Sequence, residues 1–268
     1  MESQQFAKDD VAYYWNANAD AWTAEVRRGR DIYRERFNNP AFLSFIGDLK
    51  GKTVLDAGCG EGYNTRILAR SGARMTGVDI SPRMIHFAQE EEQRNPLGIR
   101  YETASFSNLS LLDDGYFDAV ASFMALMDGP DYPSTVSEMF RVLRPGGNLS
   151  FSVTHPCFMT RGFGWVRDDN GRAVRLTVSD YFDTHPWLEH WGFSDPPQPE
   201  EAALFAVPAF PRTLSDYINT LVRAGFILKE IAEPRPPEEA CRLHPSMQGW
   251  RYHAALFLYI RAEKPPAP

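Results

Sequence analysis

The chain has 268 residues, of which 43% are hydrophobic and 24% charged, and a formal net charge of -7 at pH 7. That length bounds it to one large domain, or one domain carrying an insertion, with material for a sizeable core. The acidic balance disfavours nucleic acid as a partner, because phosphate backbones are bound by basic surfaces.

Residues 11–48 are rich in aromatics and arginine and lack strand alternation, so helices are expected ahead of the main fold. From Lys52 the pattern changes. Thr53–Asp56 is a short apolar run that ends in glycines and opens a helical stretch over Asn64–Ser71. Met75–Asp79 reads as a second strand. Ser81 then supplies an N-cap oxygen with Pro82 at the first helical position, and Met84, Ile85 and Ala88 give that helix an apolar face. Ile99–Thr103 and Phe117–Phe123 read as strands three and four. Val136, Met139, Phe140 and Leu143 sit at helical spacing ahead of Pro145-Gly146-Gly147, and Leu149–Val153 is the fifth strand. Strands alternating with helices through short links predict an α/β fold with a doubly wound, mainly parallel sheet. Ligands in such sheets bind beyond the carboxyl ends of the strands.

His155–Arg212 breaks this rhythm with Pro, Trp, Phe and acidic residues. A connection this long is uncommon in a compact domain unless it is functional, so it is predicted to be a cap inserted after strand five. Thr213, with Asp216 three positions on, opens another helix that runs through Leu221 and Val222. Phe226–Ile231 and Ala254–Ile260 are the last two strands, and Pro234–Pro237 and the terminal Pro265–Pro268 are coil.

Three cysteines, Cys59, Cys157 and Cys241, match no CxxC or zinc spacing, so no metal site is expected. Their scarcity favours a reducing compartment. Met1–Gln5 has no basic-then-apolar signal pattern, and the apolar runs near Val120–Met127 and Ala254–Ile260 are too short to cross a bilayer. A cytoplasmic protein without a membrane partner is expected; oligomeric state is not legible.

The glycine loop is the most informative segment. Gly58-Cys59-Gly60-Glu61-Gly62 is a GxGxG, whereas a dinucleotide fingerprint needs a third small residue where Tyr63 stands. Asp56, just before the loop, would repel a pyrophosphate and attract an α-ammonium. Asp79, at the end of strand two, can accept hydrogen bonds from both hydroxyls of a ribose. Each feature alone has a bland explanation, as a turn glycine or a strand-end aspartate. In a strand–loop–helix–strand context they jointly favour a ligand site.

Val54–Gly62, Gly77–Ser81, Phe117–Val120 and Arg141–Gly147 together resemble the successive motifs of class I S-adenosylmethionine-dependent methyltransferases. The resemblance is tight over Lys52–Val153, and Phe210–Glu233 is similar to the final helix and strand of small-molecule members. It implies a Rossmann-like methyltransferase fold with a seven-stranded sheet, and S-adenosyl-L-methionine as cofactor. On this reading residues 1–50 form an N-terminal helical lid, 51–154 the cofactor-binding core and 155–212 the inserted cap. Residues 213–264 complete the core sheet, and 265–268 are a tail.

The resemblance also implies site residues. Asp56 and the backbone of Gly58 and Gly60 would hold the methionine moiety, with Cys59 tied up in the same cofactor-binding loop, Asp79 would hold the ribose, and Ile80 and Met84 would lie against the adenine. Ser105, followed by Phe106, stands where the family usually has an aspartate bonded to the adenine amino group. A serine accepts a hydrogen bond more weakly than a carboxylate. Ser122, Phe123 and Met124 would face the sulfonium. The [DNS]-P-P-[YF] tetrad of nucleobase-methylating members is replaced by Ser122-Phe123-Met124-Ala125, which disfavours that acceptor.

His155, directly after strand five, is the candidate general base, with Asp128 as a second catalytic candidate. The bland alternatives are a histidine bonded to a loop and an aspartate at a turn. Tyr13, Tyr33 and Arg34 from the N-terminal segment, Met124, and Trp165, Trp187 and Trp191 from the cap are the candidate substrate contacts, although most cap aromatics are expected to form the cap's own small core. The expected reaction is in-line methyl transfer to an O, N, S or C nucleophile of a small molecule. A protein or RNA acceptor, or cofactor binding without methyl transfer, are the competing readings. Metalloid methylation would need Cys157 and Cys241 to converge with a third thiol.

Overall fold

A computed structural model describes residues 6–193 and 204–267, so residues 194–203 of the expected cap and the ends of the chain lie outside the described residues. The chain opens with α1 (Lys8–Arg27), a π-helical turn over Arg34–Asn38, and α2 (Asn39–Ile46). The alternating core follows as β1 (Thr53–Ala57), α3 (Tyr63–Arg70), β2 (Arg74–Asp79), α4 (Pro82–Arg94), β3 (Arg100–Thr103), β4 (Phe117–Phe123), α5 (Tyr132–Val142) and β5 (Leu143–Thr154). Two hairpins come next, β6 (Gly164–Arg167) with β7 (Ala173–Thr177), and β8 (Trp187–Trp191) with β9 (Phe205–Ala209). The chain closes with α6 (Leu214–Arg223), β10 (Ile227–Ala232), α7 (Glu238–Leu243), α8 (Gln248–Tyr252) and β11 (Phe257–Glu263).

Seven strands form one sheet in the order β3-β2-β1-β4-β5-β11-β10. The first five are parallel, and β11 runs antiparallel to both β5 and β10. This is the Rossmann-like methyltransferase arrangement. Strand order reverses at β1, which lies between β2 and β4, so the crevice opens where the glycine loop leaves β1.

Alternation along the strands splits the apolar residues between two cores. Val54, Met75, Tyr101 and Tyr259 face one layer, while Leu55, Val78, Phe151 and Ile260 face the other, beneath α5 and α6. The helix starts follow their sequence signals. Ser81 Oγ accepts from Met84 N at 3.2 Å, and Thr213 and Asp216 bond reciprocally as a capping box.

Some boundaries differ from the sequence expectation. β5 begins at Leu143, because the Pro145-Gly146-Gly147 stretch is already paired: Gly146 N donates to Lys264 O at 2.9 Å. β11 begins at Phe257, three residues late. Val222 is exposed, since only Leu221 of that pair faces the sheet. α7 and α8 were not anticipated; they fill the connection between β10 and β11. The 155–212 segment is built of two hairpins, and α1 packs on β9 and on α4.

Candidate active site

A cavity of about 650 Å³ lies over the carboxyl ends of β1, β2, β4 and β5, under α1 and the cap. Its floor starts at β1. Asp56 is 1% exposed. Its Oδ2 accepts from Thr65 Oγ1 at 2.6 Å, while Oδ1 has no hydrogen-bond partner. Burial pushes this carboxyl up to about 7, with the nearby Asp79 and Glu61 charges adding to the effect. Asp79 ends β2 with Oδ2 accepting from Gly60 N and Oδ1 from Ser81 N, both at 2.9 Å. Burial also raises Asp79, to about 6, against these backbone donors.

The loop between them needs its glycines. Gly58 has φ +82°, and a Cβ there would stand 2.3 Å from Ala125 Cβ. Gly60 has φ +55° with no atom near its missing Cβ, so its backbone is open to the cavity. Cys59 is the exception within the loop. Its thiol packs in the core behind Gly77, and burial pushes it well up, so only its backbone is available to a ligand.

Several other predicted residues line the same cavity: Ile80, Met84, Ser105, Phe106, Phe123, Met124, Asp128, Tyr33, Arg34, Trp187 and Trp191. Ser105 Oγ lies 2.9 Å from Ser107 Oγ, so its hydroxyl is already partly engaged. Met84 Sδ is touched from above by Thr23 Oγ1 of α1 at 3.9 Å. Met124 carries φ +53°, an uncommon conformation for a residue with a side chain, at the point where β4 ends. Asp128 is half-buried opposite the cap. Burial, with the neighbouring Glu189 charge, pushes its carboxyl well above the usual carboxylate value, against the pull of Arg212. Arg212 Nη1 donates to Met127 O at 3.2 Å, and its Nη2 donates to Gly129 O. The cap's last residue therefore grips the loop on both sides of Asp128.

Four predicted residues lie elsewhere. His155 is 2% exposed and does not line the cavity, although Thr154 and Pro156 on either side of it do. Its Nδ1 accepts from Cys157 N at 3.2 Å and its Nε2 faces Glu233 Oε1 at 2.7 Å. Both ring nitrogens are taken up by neighbouring groups and His155 is not among the cavity walls, where a general base would have to stand. Ser122 is fully buried, with its hydroxyl donating to Ala57 O at 2.6 Å; it ties β4 to β1 and is not among the residues that line the cavity. Tyr13 is 69% exposed on the outer side of α1. Trp165 packs on Trp250 at 4.8 Å between ring centroids, outside the cavity.

Residues that the sequence reading passed over complete the walls. Glu61 is buried within the glycine loop, and burial raises it although Arg34 Nη1 lies 3.8 Å from its Oε1. The Arg34 guanidinium also covers the Tyr63 ring at 4.4 Å. Arg34, expected at the acceptor, therefore stands beside the glycine loop. Glu61 sits inside the motif and was findable from that alone. Trp22 meets Trp191 and Phe205 edge-to-face and Phe193 at a tilt, with 5.2–5.5 Å between ring centroids, which fixes α1 to the cap.

The comparisons with known proteins agree with this geometry. A family model described as a methyltransferase domain matches residues 55–151. An uncharacterized Haemophilus influenzae protein is 27% identical over 236 residues, 86% of this chain and 88% of that one. A ubiquinone biosynthesis O-methyltransferase of Coxiella burnetii is 30% identical over 161 residues, 59% of this chain and 67% of the relative. The chain spans about half, 49%, of the same-named Xanthomonas oryzae enzyme. The crystal structure of an S-adenosylmethionine-dependent methyltransferase from Mesorhizobium loti superposes with a TM-score of 0.67 at 26% identity, covering 84% of this chain and 96% of that one. The chain belongs to the class I S-adenosylmethionine-dependent methyltransferases. It is an enzyme of methyl transfer with S-adenosylmethionine as its cofactor.

Proposed function

We propose that the enzyme methylates a small molecule enclosed between the sheet, α1 and the cap. The observation that carries this reading is the cavity itself: one space of about 650 Å³ runs from the glycine loop to the cap, with aromatic and methionine walls interleaved with charged and polar side chains. A macromolecular acceptor calls for an open groove, and α1 and the cap hairpin cover this one. The acceptor nucleophile (oxygen, nitrogen, sulfur or carbon) is left to experiment. The name of the Coxiella relative puts an oxygen acceptor first in order of trial.

The residues present fit the cofactor. Asp56 Oδ1, Glu61 Oε1 and the Arg34 Nε and Nη2 atoms are buried without hydrogen-bond partners, and the Gly60 backbone is open beside them. In this proposal Asp56 receives the ammonium and Arg34 the carboxylate of the methionine moiety. Asp79 receives the ribose hydroxyls, while Ile80, Met84, Ser105 and Phe106 enclose the adenine. S-adenosylmethionine supplies the electrophilic methyl group when bound. The protein's contribution is chiefly orientation, which is worth up to about 7–11 kcal/mol for an in-line displacement. Phe123 and Met124, at the end of β4, direct the acceptor toward the methyl, and α1 with the cap excludes water. With His155 outside the cavity walls, no neutral imidazole serves as base. Asp128, whose ionisation burial disfavours, stands in the same cavity as a polar contact for the ligand.

The test is incubation with methyl-labelled S-adenosylmethionine and separate small-metabolite, RNA and protein fractions. Label should enter a compound of the metabolite fraction. Label confined to the RNA or protein fraction would overturn the proposal.

A further inference from the structure

Eleven buried side-chain nitrogen and oxygen atoms among the described residues have no hydrogen-bond partner, and seven of them belong to residues that line the one cavity. Four of the seven, on Arg34, Asp56 and Glu61, cluster at the glycine loop and are accounted for by the methionine moiety. Asn39 Oδ1 is a fifth on the same side, since its Nδ2 is held by Asn64 at the start of α3 at 2.7 Å. The remaining two, Asn38 Nδ2 and Thr160 Oγ1, lie where no cofactor atom is assigned.

Strand order explains the separation. β1 and β2 present the cofactor residues, whereas Asn38 stands over β11: Tyr259 Oη donates to Asn38 O at 3.1 Å and contacts its Oδ1 at 2.9 Å. Thr160 follows β5, in the turn where Met159 N donates to His155 O at 2.8 Å. The ends of β4 and β11, the turn after β5 and α8 give the cavity the apolar walls Met124, Met159, Phe163, Trp250, Leu256 and Phe257. Two further facts mark this lobe as built for a ligand. Asn38 is 1% exposed and Thr160 8%, so neither polar atom is free to turn to solvent. Asn38 also ends the π-helical turn over Arg34–Asn38. Such a turn widens the helix, and π-turns recur at functional sites. Here it sets Arg34 and Asn38, four positions apart, along one wall. A buried donor left unpaired is costly, and proteins rarely keep one without use.

We propose that Asn38 and Thr160 form the acceptor subsite, which takes a flat apolar molecule bearing a hydrogen-bond-accepting oxygen, such as a hydroxyl or carbonyl. Asn38 Nδ2 donates to that oxygen and the Thr160 hydroxyl completes its shell. The Met, Phe and Trp walls hold the apolar skeleton. This rests on the small-molecule reading above, and it adds the class of molecule and the residues that select it.

The test uses calorimetry on the full chain saturated with S-adenosylhomocysteine, with 2-naphthol, naphthalene and 2-methylnaphthalene as probes. The parent should bind 2-naphthol at least tenfold more tightly than either analogue, because a site built to hydrogen-bond an oxygen rejects a ligand that lacks it. Asn38→Leu should remove that preference, as Tyr259 keeps the backbone carbonyl of residue 38. Thr160→Val should reduce it about threefold or more. Should Asn38→Leu fold poorly, Asn38→Asp keeps the Tyr259 contact and still deletes the donor. Affinity for S-adenosylhomocysteine should change less than twofold in all three. Equal binding of the three probes by the parent, or a preference that survives both substitutions, overturns the proposal. The small-molecule reading is decided separately, by which fraction receives the label.

Discussion

Asp56 is buried with one oxygen unpaired, and its replacement by asparagine should have opposite effects on stability and on binding. The rise of its carboxyl from 3.8 to about 7 corresponds to about 4 kcal/mol of disfavoured ionisation as an upper limit. An asparagine keeps the Thr65 hydrogen bond, made at 2.6 Å, and carries no charge to desolvate. The cofactor-free variant should therefore be more stable at pH 7.5 by about 1–3 kcal/mol, roughly 2–10 °C in Tm for a chain of this size. Binding should move the other way. Losing a charge-assisted bond to the ammonium should weaken S-adenosylhomocysteine about 10–100-fold. The pH dependence follows from the direction of the shift. Because the folded-state carboxyl titrates above its unfolded value, the cofactor-free parent is most stabilised below about pH 4. That contribution is lost as pH rises through about 7, and Asp56→Asn should flatten the profile in this window. Differential scanning fluorimetry across pH 4–8, with and without S-adenosylhomocysteine, measures both arms. A variant that melts lower than the parent without ligand, and binds as tightly, would refute the reasoning.

Three further outcomes are expected. His155→Ala should lower stability by about 1–3 kcal/mol through the orphaned Glu233 and Cys157 groups, while turnover per folded molecule stays within about threefold; a loss of 10²-fold or more would restore the histidine as a base. Asp128→Asn should retain most turnover at pH 7, because burial disfavours the charge and the amide keeps a polar contact, whereas Asp128→Leu should lose at least tenfold; comparable large losses in both variants would mean the ionised form is used. Gly58→Ala should cost about 2 kcal/mol or more and abolish tight S-adenosylhomocysteine binding, since its Cβ meets Ala125 Cβ at 2.3 Å on a left-handed backbone; a normal melting curve with normal affinity would count against the described loop geometry.

The parts of the site that were legible in the sequence are local. Asp56, the glycines and Asp79 are set by one strand–loop–helix and the strand after it, so spacing along the chain places them in space. The misreadings turn on which way a side chain points. Thr154 ends β5 and the chain turns from Pro156, so His155 stands between the last strand residue and the turn. Position next to the strand end was read correctly, yet the ring falls on the face turned to Glu233. Ser122 and Phe123 repeat the lesson at the end of β4, where only the phenylalanine reaches the cavity. Asn38 and Thr160 had no signal of their own. One depends on a π-turn and on Tyr259, 221 positions away, and the other on a turn in the cap. Likewise Trp165 and Trp187 look alike in the sequence, and only the pairing of Trp165 with Trp250 on α8 separates them.

The central claim is that one enclosed cavity is divided, with the cofactor over β1 and β2 and the acceptor over β4, β5 and β11. A crystal structure with S-adenosylhomocysteine bound tests it most directly. The account predicts the homocysteine ammonium at Asp56, its carboxylate at Arg34, the ribose at Asp79, and the lobe between Asn38, Thr160 and Trp250 left free of cofactor atoms. Adenine or ribose lying in that lobe, against Trp250, would contradict it.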